Sequence, residues 1–378
     1  MFFYMKKGII VIALALVATA VFYIMGKNGS EGTKTDIVIG TYGEHLYVYS
    51  FDNETLEFTM KAKAEAKNPS YALADKGSIF AASEVGEESG AYSFEVKRGG
   101  KDISRSADRR QTGADPCFVL MHTEEDGSRY MLTADYSGGS ISVFPVYDGH
   151  IEPLAEQMFF EGSGPIADRQ EASHIHQLRS VPGVRGFIFA SDLGADVIRL
   201  IGIGKKDGDI KLTHIKDFEC PAGSGPRHME FSQDGHFMYC IAELSGNVLV
   251  YRITNDDGTP VITLVQEIQA DEVNAGGSAD IHIHPNGRWI YTSHRLENDG
   301  ISVFNILDDG TLEKIGYAHT GRHPRNFMIT SDGRHLLVAC RDDRTIQVFD
   351  IEEEGTLTLT QSTLDFDVDM PSSVLEML

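Results

Sequence analysis

The stretch H-P-R-N-F-M-I-T-S-D-G-R-H-L-L-V-A-C-R-D-D-R-T-I-Q-V-F-D-I-E-E-E-G-T-L, residues 323–357, decides how the chain folds. Its apolar runs are short, and each is cut off by a turn signal. F-M-I-T and H-L-L-V-A-C flank S-D-G, where small acceptor side chains and a glycine let the backbone reverse. T-I-Q-V-F-D alternates apolar and polar residues with the period of two that turns one strand face to a core. E-G-T-L then leads into a fourth strand. Residues 278–312, S-A-D-I-H-I-H-P-N-G-R-W-I-Y-T-S-H-R-L-E-N-D-G-I-S-V-F-N-I-L-D-D-G-T-L, keep the same order, with P-N-G and D-G-T-L as turns.

Units of this kind begin at Asn68, Asp115, Ser173, Gly225, Ser278 and His323. Four short strands in a recurring unit describe a propeller blade. Residues 36–62 supply I-V-I-G-T-Y, L-Y-V-Y-S-F and F-T-M-K-A, three strands without a first one. The C-terminal M-P-S-S-V-L-E-M provides it, with Pro371 aligned on Pro324. The chain therefore reads as an all-β, seven-bladed β-propeller whose C-terminal strand closes the ring. Closure leaves no long free sheet edge. Two β-sandwiches would leave the missing strand, restored at the far end, unexplained.

The N-terminus stands apart. Lys6 and Lys7 precede an uncharged apolar run over residues 8–26, then K-N-G-S-E-G-T-K. A positive n-region before an apolar h-region is an export signal. Ala18-Thr19-Ala20 offers a cleavage site, while Phe22, Tyr23, Ile24 and Met25 extend the apolar run as an anchor would. No cysteine lies near, which argues against a lipoprotein. We expect a signal peptide or membrane-anchor helix over residues 1–30, with residues 8–26 as the tether if it is retained. The propeller domain occupies residues 31–378, in the periplasm or cell envelope. The formal net charge of −23 disfavours nucleic acid and anionic membrane surfaces as partners, since both need a basic face. A small anionic ligand would need a local arginine cluster. The four cysteines are far apart with no CxxC, so neither a disulfide framework nor a zinc site is expected.

Superposing the units aligns a charge at the end of the second strand: Glu84, Asp135, Asp192, Glu243, Arg295 and Arg341. A second column, near the start of the first strand, holds Ser70, Cys117, His176, Arg227, Ala279 and Arg325. First and second strands are antiparallel, so both columns should ring one mouth of the central channel. Solvent exposure alone would permit any polar residue there, so an all-charged column points to a site. A solvated rim charge is the bland reading for any single member.

Arginine presents a fixed fork of donors for phosphate or carboxylate. Arg227, Arg295 and Arg341, with Arg325, are the candidates to hold an anionic substrate. Glu243 and His176 are candidates for general base and proton donor or orienter. An arginine near a carbonyl could stabilise an oxyanion by about 3 kcal/mol. His174 and His176, like His282 and His284, share strand faces, and with His228 they raise a metal site as an alternative. They lie on three blades without H-E-x-x-H spacing, and strand histidines often satisfy neighbouring backbone, so no metal is expected. No cofactor is expected either, because P-loop, G-x-G-x-x-G and G-x-S-x-G motifs are absent.

Several blocks resemble one family: H-I-H-Q (174–177), F-I-F-A-S-D-L-G-A-D-V-I-R (187–199), G-S-G-P-R-H-M-E-F-S-Q-D-G-H-F-M-Y-C-I-A-E-L-S-G-N-V (223–248) and A-D-I-H-I-H-P-N-G-R-W-I-Y-T-S-H-R (279–295). They are similar to the propeller-type lactonases, which include a bacterial 6-phosphogluconolactonase and the fungal carboxy-cis,cis-muconate cyclase. The likeness runs from about Ile37 to the C-terminus, and G-P-R-H…A-E-L and I-H…S-H-R are its most specific parts. The resemblance implies a catalytic set of His176, Arg227, Glu243 and Arg295. Asp280 and His284 stand where the family usually has a glutamate and a smaller polar residue. Those departures would alter the pocket floor, and Asp280 and His282 are carried as substrate-binding candidates.

The resemblance implies metal-independent hydrolysis of a sugar lactone, with 6-phospho-D-glucono-1,5-lactone as the expected substrate. Arginines would hold its anionic group, Glu243 would activate water, and His176 with Arg295 would polarise the carbonyl. A lactone-forming cyclase acting on an unsaturated diacid is the enzymatic alternative. A non-catalytic envelope propeller that binds protein or glycan is the alternative of another class.

Overall fold

Seven antiparallel sheets succeed one another along the chain in blade order, five with four strands and two whose outer strand is split in two. The structure, a computed structural model, describes residues 34–106 and 109–377. The channel-side strands of six blades are Pro69–Asp75, Pro116–Thr123, Ile175–Ser180, Pro226–Phe231, Ser278–Ile283 and Pro324–Ile329. The seventh is the C-terminal Met370–Glu376, which pairs with Lys34–Tyr42 and completes the first blade, as the sequence predicts. Each channel-side strand touches the next, so the ring is closed. Asp369 secures the closing strand. It accepts the Glu44 amide at 3.0 Å and the Tyr47 hydroxyl at 2.6 Å, and pairs with His45 at 2.9 Å.

Inner strands such as Phe237–Ala242 and His335–Cys340 are buried on both faces, so each blade presents apolar side chains to both neighbours, and the core lies between blades. Phe80 of the second blade packs with Met131 and Phe144 of the third. Met328, Leu337 and Val348 of the last blade pack on Ile37, Tyr49 and Phe51 of the first. The expected leader or anchor over residues 1–30 lies outside the described residues. Among the described residues no helix is long and apolar enough to cross a membrane.

The feature that positions a site is a β-bulge repeated in every blade. Near its start, each channel-side strand carries a residue that the ladder skips: Ser70, Cys117, His176, Arg227, Arg325 and Ser372, with Ala279 and Asp280 skipped together. A bulge bends its strand and re-aims the extra side chain. The second sequence column is thus a column of bulges, and His176 occupies its place in it. In four blades the residue two positions before the bulge has a left-handed φ: Asn68 at 44°, Asp115 at 51°, Gly225 at 61° and His323 at 61°. Asn, Asp and His tolerate that conformation better than other side chains. Gly225 has a second reason to be glycine, since a Cβ there would meet Leu244 Cγ at 2.6 Å.

The first column needs a correction. Asp135 and Asp192 are the last paired residues of their strands, opposite Pro116 and Ile175. Their equivalents are Ser83, Ala242, His294 and Cys340, not Glu84, Glu243, Arg295 and Arg341. A one-residue slip moves a strand side chain to the other face. Asp135 accordingly turns into its blade and accepts hydrogen bonds from Thr133, Ser140 and Ser142. Asp192 does the same with the His174 amide and the Arg199 guanidinium. The residues equivalent to Glu84 are Tyr136 and Leu193 in the third and fourth blades.

Candidate active site

The bulges and the residues just past the second strands converge on one channel mouth, around a cavity of about 430 Å³. His176, Glu243, Arg295 and Arg325 line it together with Glu84, Cys117, Tyr136 and Arg169. Asp115, Ser137 and Leu296 complete the wall. Leu296 sits at φ 84°, directly after Arg295, and is 57% exposed, an apolar lip on a polar mouth.

Glu243 is the hub. One carboxylate oxygen accepts Arg227 Nε at 2.7 Å. The other accepts Arg169 Nη2 at 2.7 Å and faces Arg295 Nη2 at 3.2 Å. Burial alone would raise its pKa, but Arg295, Arg227 and Arg169 outweigh it and hold the carboxyl at about 2. Both oxygens are engaged by guanidinium donors, so the carboxylate holds arginines rather than a water.

His176 is in the opposite condition. Burial pushes its pKa well below the usual histidine value, and Arg227, His228, Arg325 and Arg295 push the same way. The ring is therefore neutral at pH 7 and keeps a nitrogen lone pair. Tyr136 meets it edge-on at 5.6 Å, and Cys117 Sγ reaches its backbone oxygen at 3.3 Å.

The arginines divide by commitment. Arg295 donates from Nε to the Gly277 carbonyl at 2.7 Å and from Nη1 to His323 Nε2 at 3.2 Å. Burial, with Arg227 and Arg325 nearby, lowers its pKa to about 9 against the pull of Glu243. His323 can accept because burial and Arg295 hold it near 3, neutral. Arg325 instead lies over the Tyr42 ring at 5.2 Å, and the Tyr42 hydroxyl donates to Glu84 at 2.8 Å. Arg169 is 37% exposed and open to solvent beyond Glu243.

Of the residues singled out in the sequence, His176, Glu243, Arg295 and Arg325 thus share one cavity. Arg227 lies behind Glu243, 2% exposed, with its Nη1 on the Ala279 carbonyl, so it is not in the wall. Arg341 turns aside to Asp342 at 2.7 Å and does not line the cavity. Asp280 and His282 lie deeper in the channel, paired to each other at 3.1 Å. The other histidines are spread out: His174 stacks on Tyr136 at 4.4 Å, and His284 Nε2 faces the Gly333 carbonyl at 2.8 Å. Among the described residues no three His, Cys, Asp or Glu side chains converge as a metal site.

Sequence reasoning missed Arg169. It comes from residues 160–174, an irregular link between the third and fourth blades that is longer than any other. Its length is the signal that could have found it, because long structureless links in compact domains are usually functional. Gln170 pins the link by donating to the Leu193 carbonyl at 2.9 Å and accepting the Ile166 amide at 3.2 Å.

A closed seven-bladed ring with a buried imidazole and an arginine cluster at one channel mouth defines a propeller with a small-molecule site at that mouth. The chain matches the family model "Lactonase, 7-bladed beta-propeller" over residues 34–376. It belongs to that family, and it is a lactonase, an ester hydrolase. It is 35% identical over 234 residues to a 6-phosphogluconolactonase of Formosa agariphila, an alignment spanning 60% of this chain and 65% of that protein. A proposed 6-phosphogluconolactonase of Bacteroides fragilis superposes with a TM-score of 0.85 at 35% identity, covering 92% of this chain and 99% of that one. The periplasmic gluconolactonase of Pseudomonas aeruginosa superposes with a TM-score of 0.81 at 25% identity, covering 91% and 99%.

Proposed function

We propose that the cavity hydrolyses a phosphorylated sugar lactone, with 6-phospho-D-glucono-1,5-lactone as the specific substrate. The carrying observation is a neutral, buried imidazole beside guanidinium groups that are not all committed to the protein. Arg325 and Arg169 are the groups placed to take a phosphate: Arg325 stacks on Tyr42, and Arg169, although it binds Glu243, is open to solvent, whereas Arg227 and Arg295 are buried on carboxylate and carbonyl partners. His176 takes the proton from water as the hydroxide oxygen bonds to the lactone carbonyl carbon. Arg295 faces the negative charge that develops on the carbonyl oxygen. The ring C–O bond then breaks, and its oxygen leaves with the proton from His176, giving the open-chain acid. This exchanges the roles expected from sequence: Glu243 holds the arginines, and His176 is the base. Glu84 and Asp115 bring two hydrogen-bond acceptors into the wall, which suits the several hydroxyls of a sugar, groups that an unsaturated diacid lacks.

An envelope location belongs to the same proposal, supported by Lys6, Lys7 and the apolar run over residues 8–26. The periplasmic relative is in keeping with it. Recovery of the protein solely from cytosol on cell fractionation would overturn that part. For the activity, initial rates on phosphorylated and unphosphorylated aldonolactones and on a muconolactone decide. The phosphorylated aldonolactone should give the highest kcat/KM. A preference for the muconolactone would refute the substrate assignment.

A further inference from the structure

Below the cavity the channel wall carries ionisable side chains that the reaction above does not use. His228 Nδ1 lies 2.6 Å from Asp280 Oδ1. Asp280 Oδ2 faces His282 Nε2 at 3.1 Å and also accepts the Asn326 amide. His282 Nδ1 in turn faces Glu230 at 3.2 Å, and Arg179 binds Glu230 at 2.7 Å. Burial would raise the Asp280 pKa, but His282 and His228 hold it well below the usual range. Asp280 is thus an anion and can only accept, so His228 Nδ1 carries the proton of that bond.

The rings of Tyr71, Phe118 and His176 wall in His228. Burial, then Arg227, lowers its pKa to about 4 against the pull of Asp280. His228 is therefore neutral, and its Nε2 is a bare lone pair. That atom is buried without a hydrogen-bond partner, and so is Nδ1 of His176. The two rings stand 5.2 Å apart, centre to centre. A buried nitrogen left without a partner is unfavourable. A proton on His176 Nδ1, shared with His228 Nε2 directly or through one buried water, satisfies both atoms at once.

We propose that Asp280 and His228 set the tautomer of His176, holding its proton on Nδ1 and leaving Nε2 free to accept water's proton. The inference rests on the reading of His176 as the base. Asp280 and His228 are positioning residues: Asp280 stays ionised, and no proton passes down the chain during turnover. The arrangement explains why a buried carboxylate should sit so far beneath the cavity.

The test is histidine 15N NMR on the full-length protein, combined with kinetics on the lactone it hydrolyses fastest. At pH 7 both His176 and His228 should be neutral with the proton on Nδ1. In Asp280→Asn the new amide donates to His228 Nδ1, which moves the His228 proton to Nε2 and forces His176 into the other tautomer. Then kcat should fall by about 10²–10⁴-fold, the scale of a wrong-tautomer imidazole in a serine protease, with KM changed less than about twofold. A merely structural role would lower kcat and raise KM together and leave the His176 tautomer unchanged. Should that variant fold poorly, His228→Gln and His228→Leu decide. Glutamine can still accept from His176 Nδ1, so it should keep at least about tenfold more kcat than leucine. A cationic or Nε2-protonated His176 in the unmodified protein overturns the proposal, as do equal losses in the two His228 variants. If no lactone is hydrolysed, the functional reading fails, while the NMR spectrum still decides the tautomer.

Discussion

Replacing Glu243 by glutamine keeps the side chain's size but leaves three guanidinium groups facing a neutral amide. Arg227 and Arg295 are only 2% and 5% exposed, so water cannot take over the lost charge. Removing one partner of a buried ion pair costs about 3–5 kcal/mol. A second route agrees. A carboxyl at 4.5 in the unfolded chain and about 2 in the folded one stabilises the fold at neutral pH by about 3 kcal/mol. With an unfolding entropy of about 2.1 cal/mol/K per residue, residues 34–376 convert this to a Tm drop of about 4–7 °C.

The sign of the pH effect follows from the depressed pKa. The stabilisation is present above the unfolded value of 4.5 and is lost as pH falls towards 2. By pH 3 about 2 kcal/mol of it should be gone, so the Tm difference between the two proteins should shrink by more than half. Mutual repulsion should also swing Arg169 and Arg295 out of place, raising KM about tenfold and lowering kcat together. Scanning calorimetry at pH 7 and pH 3, with steady-state kinetics at pH 7, measures all of this. A Glu243→Gln protein with unchanged Tm and KM but a kcat lower by about 10²-fold or more would refute the reasoning and restore Glu243 as the base.

Arg325→Ala should raise KM for a phosphorylated lactone by about 10–100-fold, the value of a charge-assisted hydrogen bond, with a smaller change for the unphosphorylated analogue. Equal effects on both substrates would take the phosphate away from Arg325. A chain ending at Val368 loses Asp369 and the closing strand, so urea titration should show no cooperative transition. Exhaustive EDTA treatment should leave kcat unchanged, and recovery of lost activity by a divalent ion would place a metal in the mechanism.

The architecture was legible because a blade is a local grammar of runs and turns, and because Pro371 and Pro324 mark the same register in first strands. The bulge column was legible for a related reason: its members stand at a fixed distance past the residue where each strand starts. Asp135 and Asp192 misled because end-of-strand carboxylates look alike in sequence, while one residue decides whether they face the cavity or cap a blade. The division of labour between Glu243 and His176 was not legible. It depends on Arg169, which reaches Glu243 across 74 positions from an irregular link, and on burial that no local pattern reports. Nor could sequence show that Arg227, next to Pro226 in the family's most specific block, points its guanidinium behind the wall.

The most direct measurement is kcat for His176→Gln on the lactone that the unmodified protein hydrolyses fastest. Glutamine preserves much of the ring's bulk and hydrogen bonding but cannot accept water's proton. The account predicts a kcat lower by about 10²–10⁴-fold, with KM within a few-fold and Tm nearly unchanged. A His176→Gln protein that keeps most of its kcat would contradict it, and the base would have to be sought elsewhere in the cavity.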